Sequence, residues 1–182
     1  MSTQKGSASR CSAVIERTYR TRVEELWRLW TTKEGFESWW GGEGSRVEVR
    51  TIEAREGGML HYDMVAVDPA DAVTRSQLGL APSSSVRARF TQFRPYQRLT
   101  LTHVIDFVPG VKPYESTIAV EFFPAGDAVR MVTTIEPMHS EEFTETSIRV
   151  FTSQLEMLEG RFQSQYQPFV QRQGEADGDI TL

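Results

Sequence analysis

The chain alternates between two hydrophobic rhythms. From Ala13 to Arg20, Ile15 and Tyr19 stand between polar neighbours, the period-two pattern of a strand. At Val23 the spacing becomes helical: Val23, Leu26, Trp27 and Trp30 share one face of a helix that ends near Thr31. Thr21, with Glu24 three residues on, has the pattern of a capping box. Thr31 or Thr32 caps a second short helix, Lys33 to Trp39, stopped by Gly41 and Gly42.

Period two then returns. Arg46 to Ala54 carries Val47, Val49 and, less regularly, Ile52, and Gly57-Gly58 forms a hairpin turn. Met59 to Val67 sets Leu60, Tyr62 and Met64 on one face. The stretch from Asp68 to Ser85 reads as a loop of about 18 residues with a short QLGL patch, long enough to suggest a lid or flap. Strands follow at Val86–Arg94, Arg98–Val104, Glu115–Phe123 and Ala128–Glu136, with Pro124 to Asp127 as a turn. Leu99, Leu101 and His103 share a face, as do Ile118, Val120 and Phe122, and then Val129, Met131, Thr133 and Ile135. A long helix closes the chain from about Ser140, its N-cap, to Gln165. Its apolar stripe is Ile148, Phe151, Leu155, Leu158 and Phe162.

This order predicts an α+β fold. A curved, mostly antiparallel seven-stranded sheet wraps a long C-terminal helix, with two short helices after the first strand. One domain is expected over 13–166, with tails at 1–12 and 167–182. Where the helix does not fill the concave side, a cavity remains.

Composition narrows the function. The chain has 182 residues, 39% hydrophobic and 25% charged, with a net charge of −5. Its arginines are scattered rather than striped, so nucleic-acid binding is not expected. Cys11 is the only cysteine, which excludes a disulfide framework and fits the cytoplasm. No apolar run is long enough for a membrane span, and MSTQKGSASR has no signal-peptide core.

Chemical motifs are sparse. His61, His103 and His139 lack metal-ligand spacing, so neither metal nor cofactor is expected. There is no GxSxG elbow or phosphate loop, and no catalytic residue is assigned. His61 is expected to face solvent, and His139 to be solvated or a minor cap. His103 reads either as a core histidine satisfied by a neighbour or as a cavity-facing group that orients a ligand. Tyr62 and Thr133 are further polar candidates on inward faces. Arg17 either pairs inward with an acid or snorkels at the sheet edge.

All four tryptophans lie between Trp27 and Trp40. Helical spacing gives Trp27 and Trp30 to the core. Trp39 and Trp40 are adjacent, so one is expected inward and the other near a cavity mouth, with Phe36 beside them.

The segment LWRLWTTKEGFESWWG resembles the signature of the family named for the activator of the heat-shock protein 90 ATPase. Leu26-Trp27, Trp30-Thr31 and Trp39-Trp40-Gly41 match its Val-Trp, Trp-Thr and Trp-Trp-Gly. Arg17 matches an arginine of its first strand, and Glu56-Gly57-Gly58 its turn. Phe151, Leu155 and Leu158 match its last helix, so the resemblance covers roughly Ala13 to Phe162. It implies the helix-grip fold of the START/Bet v 1-like (SRPBCC) superfamily, with an apolar cavity under the C-terminal helix. The chain departs from the pattern at Lys33 and Gly42, where proline is usual, and at Val150-Phe151, which replaces Gly-Trp. His103 stands where tryptophan is frequent, and the 68–85 connection is longer than usual.

The implied function is binding of a small apolar or aromatic molecule. The candidate lining is Phe36, Trp39, Trp40, Leu60, Tyr62, Met64, Leu101, His103, Thr133, Phe151, Leu155 and Leu158. A cyclase- or hydrolase-like enzyme using His103 and Tyr62, and a stress-related co-chaperone-like module, stay open as alternatives. So do a homodimer and contact with a chaperone.

Overall fold

The computed structural model describes residues 12–41, 44–77, 79 and 81–163. The expected tails therefore lie outside the described residues except for Ser12, and so do Cys11, Gly42 and the helix end at 164–165.

Strand β1 (Ala13–Tyr19) leads into helices α1 (Val23–Thr31) and α2 (Lys33–Glu37). Then come β2 (Ser45–Ile52), β3 (Met59–Ala66), helix α3 (Pro69–Gln77) and β4 (Ser83–Arg94). The chain continues through β5 (Arg98–Ile105), β6 (Tyr114–Ala125), β7 (Ala128–Ile135) and α4 (Glu141–Gln163). The seven strands form one sheet in the order β1-β7-β6-β5-β4-β3-β2, and every pairing is antiparallel. After β1 the chain crosses through α1 and α2 to the far edge and returns as a meander of hairpins. This is the expected helix-grip α+β architecture.

Local chemistry explains the joints. Thr32 caps α2 by accepting from the Gly35 N–H at 3.1 Å. Ser140 does the same for α4, taking the Phe143 N–H at 3.2 Å. At α1 the expectation is corrected. Arg22, not Thr21, is the N-cap, since the first helical bonds, from the Glu25 and Leu26 N–H groups, run to Arg22 O, and no side chain caps the helix. Gly35 is required by packing: a Cβ there would lie 2.8 Å from Leu29 Cα, so only glycine lets α2 close on α1. The irregular spacing at Ile52 has a cause in a β-bulge between Val49 and Thr51. The β6–β7 hairpin turns on Gly126-Asp127, with Gly126 at φ 65°.

The 68–85 connection differs from the expected loop. Pro69–Gln77 is helical and Ser83–Ser85 already pairs with β3. Arg75 holds α3 in place: Nε donates to Ala81 O at 2.9 Å and Nη2 to Ser84 Oγ at 2.6 Å.

The outer face of the sheet explains the scattered arginines. Arg50–Asp63, Arg87–Asp106, Arg89–Glu115, Arg98–Glu121 and Arg130–Glu16 are ion pairs between strands or strand ends. Each is solvated, so its contribution to stability is small. Arg17 is half-buried and donates to Glu16 O, which resolves its alternatives in favour of the sheet edge.

The concave side has a packed end and a hollow end. At the packed end, Trp27 sits edge-on to Phe93 at 5.0 Å and Phe122 at 5.6 Å, and Trp30 meets Trp39 at 4.8 Å. Leu155 and Leu158 of α4 are wholly buried, and Phe162 closes on Tyr19 at 5.7 Å. The hollow end lies under the first half of α4.

Candidate functional site: a cavity beneath the last helix

The hollow end encloses about 590 Å³. That is the size range of small-molecule pockets. Its floor is the inward face of the sheet: Tyr62 and Met64 of β3, Ser84 and Val86 of β4, His103 and Ile105 of β5, and Ser116 and Ile118 of β6. Phe143, Thr146, Ser147, Val150, Phe151 and Gln154 of α4 form the ceiling. These recur at three- and four-residue steps, so one helical face covers the space. Trp40 and Gly41, just after α2, close one side, and Asp68, Ala70 and Arg75 border another.

Of the candidates read from the sequence, Trp40, Tyr62, Met64, His103 and Phe151 line this cavity. Phe36, Trp39, Leu60, Leu101, Thr133, Leu155 and Leu158 do not; they are core residues, all nearly or fully buried. Strand parity placed Leu60, Leu101 and Thr133, and helical spacing Leu155 and Leu158, on the inward faces, where they pack rather than border open space.

The Trp39-Trp40 expectation is also corrected. Neither lies at a solvent mouth. Trp39 is buried and donates its indole N–H to Leu29 O at 3.0 Å, which ties the turn to α1. Trp40, also buried, turns into the cavity and donates to the Tyr62 hydroxyl at 3.0 Å. Their rings stand nearly perpendicular, 5.3 Å apart. Both find cover because the chain leaves the helix at Ser38, so adjacent side chains diverge without either reaching water.

Around Trp40 the rings form a frame. Phe36 stacks on it at 4.7 Å from outside the cavity. Phe151 meets it edge-on at 5.7 Å, and the His103 ring lies parallel to it within 2°, with centroids 6.1 Å apart. Tyr62 stands perpendicular to His103 at 6.4 Å.

The polar groups in this frame are few and poorly satisfied. His103 is 6% exposed, and its Nε2 has no hydrogen-bond partner among the described residues. Burial alone lowers its pKa from 6.5 to about 4, so the ring is neutral at physiological pH. Ser116, its cross-strand partner, is 2% exposed with an unpartnered Oγ. Burial raises the Tyr62 phenol, which therefore stays protonated. Gln154 is buried on α4 and lines the same space.

Sequence reading missed Ser84, Ser116, Arg75 and Gln154. Ser116 shares parity with Ile118, and Gln154 sits three residues after Phe151 and four before Leu158, so the signal for both was present in the spacing but was not taken up. Arg75 gave no such signal. His61 and His139 take no part in the lining: His61 bonds to Ser85 Oγ at 2.8 Å, and His139 Nδ1 pairs with the Tyr114 hydroxyl at 2.9 Å. Among the described residues no cluster of His, Cys, Asp and Glu is arranged to hold a metal ion, and no helix is long and apolar enough to cross a membrane.

Comparison with known proteins agrees with this architecture. No curated protein matches the chain. Many solved structures do. The AHSA1 protein of Silicibacter pomeroyi superposes with a TM-score of 0.66 at 18% identity, over 86% of this chain and 100% of that one. A protein from Chromobacterium violaceum gives 0.66 at 15% identity, over 84% and 97%. One from Mycobacterium smegmatis gives 0.66 at 14%, over 89% and 97%. At these identities the likeness shows the fold. The model of the family described as "Activator of Hsp90 ATPase homolog 1-like protein" matches residues 20–163. The chain thus belongs to the AHSA1-like family, within the SRPBCC (Bet v 1-like) superfamily.

Proposed function

We propose that this chain is a small-molecule binding protein whose ligand, apolar or aromatic, occupies the cavity beneath α4. The observation that carries this reading is the space itself. About 590 Å³ stands open between the sheet and the first half of α4, walled by Trp40, Met64, Val86, Ile118 and Phe151. Folding normally closes such a volume, since leaving apolar walls without neighbours forfeits dispersion contacts. A ligand would restore those contacts and gain the hydrophobic transfer of its own surface, about 25 cal/mol per Å².

An enzyme on the same scaffold ranks second. Its support is that His103 and Tyr62 border one cavity. General acid–base work favours groups titrating near neutral pH. Burial moves these two apart, His103 down to about 4 and Tyr62 upward, and no hydrogen bond joins them. Binding is the better use of such groups.

The test is titration with the neutral fluorophore N-phenyl-1-naphthylamine, on the parent protein and on Ile118→Trp, which fills the cavity from its floor. Saturable one-to-one binding that the substitution abolishes is the expected result. Binding unchanged in a folded Ile118→Trp protein would place the probe elsewhere and overturn the reading.

A further inference from the structure

We propose that the Tyr62 hydroxyl, His103, Ser116 and Gln154 recognise the oxygen-bearing part of an uncharged aromatic molecule, such as a phenol or an aryl ketone. This inference rests on the cavity-binding reading and specifies the ligand's chemistry.

Hydrogen-bond accounting carries it. Buried polar groups are almost always paired, because an unpaired one costs about 1–3 kcal/mol. Here several unpaired groups border one cavity. His103 Nε2 and Ser116 Oγ have no partner among the described residues. They project from paired positions on neighbouring strands, so they sit side by side on the floor. Gln154, 3% exposed, faces the same space from α4. The Tyr62 oxygen already accepts from Trp40, so what remains is its own proton, a donor without an acceptor among the described residues.

The set is therefore mixed. Tyr62 supplies a donor. His103, neutral, and Ser116 each donate or accept according to tautomer and rotor, and the Gln154 amide does both. A ligand carbonyl or hydroxyl satisfies such a set; a hydrocarbon leaves it bare.

Charge argues for a neutral head. None of the four groups is ionised; of the charged side chains at the cavity, Asp68 and Arg149 come from beside α3 and from α4, and Arg75 reaches the floor only at Ser84 of β4, not at His103 or Ser116. Arg75 spends donors on Ala81 O and Ser84 Oγ. An ionised head seated on His103 and Ser116 would be desolvated with no counter-charge among the groups that hold it. The lining argues for an aromatic body, since the rings of Trp40, His103 and Phe151 all border the space.

The experiment compares pyrene, 1-hydroxypyrene and 1-pyrenecarboxylate by fluorescence titration at pH 7, on the parent protein, His103→Phe and Ser116→Ala. The parent is expected to bind 1-hydroxypyrene at least ~10-fold more tightly than either other probe. Each substitution is expected to narrow that preference by ~3-fold or more while pyrene still binds. Equal affinities, a preference for the carboxylate, or a preference that both substitutions leave unchanged would overturn the proposal with the cavity reading intact. Failure of all three probes to bind would overturn both. If His103→Phe does not fold, Ser116→Ala decides, because it removes a single oxygen.

Discussion

The indole N–H of Trp40 donates to the Tyr62 hydroxyl at 3.0 Å, joining the end of the tryptophan-rich segment to the third strand inside the cavity wall. Both residues are buried, so breaking the bond leaves a donor and an acceptor without a protein partner. Trp40→Phe is expected to cost about 1–3 kcal/mol in chemical denaturation. Tyr62→Phe costs a similar amount, and the double variant falls short of the sum by about 1 kcal/mol. Strict additivity would show that the bond contributes nothing to folding.

His103 makes stability depend on pH. Its folded-state pKa, about 4, lies below the ordinary 6.5. Between these values the unfolded chain binds the proton and the folded one does not, so stability rises with pH. The contribution is complete above about 6.5, is lost as pH falls towards about 4, and levels off below, a total on the order of 3 kcal/mol. His103→Phe is expected to flatten this part of the profile. NMR titration of the ring should show no midpoint above pH 5; a midpoint near 6.5 would contradict the burial.

Thr133 offers a test of opposite sign. It is wholly buried, lies outside the cavity, and its Oγ1 has no partner among the described residues. Thr133→Val keeps the shape and removes the orphaned hydroxyl, and should raise stability by about 1 kcal/mol. A loss of that size in thermal unfolding would mean that the hydroxyl is satisfied, by water or otherwise.

Gly35→Ala should destabilise by about 1–3 kcal/mol, since its Cβ would meet the α1 backbone rather than a yielding side chain. Circular dichroism melts would register this directly, and an unchanged midpoint would mean that α2 is not held against α1.

These cases mark how far the sequence could be read. Strand alternation and the Val23–Trp30 helical face were plain because each element buries one side and solvates the other. The bulge at Arg50 left its trace in the slipped Ile52. Helix α3 was not legible: Pro69–Gln77 buries Arg75, a charged residue whose cover comes from Ala81 and Ser84 rather than from a hydrophobic face. Periodicity also cannot tell cavity from core. Leu101 and His103 share one face of β5, yet the first packs and the second borders open space, because the helix above approaches the sheet at one end only. Trp40 was ambiguous for a related reason. It follows the last turn of α2, where no repeat fixes the direction of a side chain.

The central claim is that the cavity holds a ligand. Native mass spectrometry of the freshly purified protein tests this most directly, with a denatured sample as reference. The account predicts a one-to-one adduct of a neutral aromatic molecule, released on denaturation and absent from a folded Ile118→Trp protein. A bare mass in every preparation, with no uptake of added N-phenyl-1-naphthylamine or pyrene probes, would contradict it.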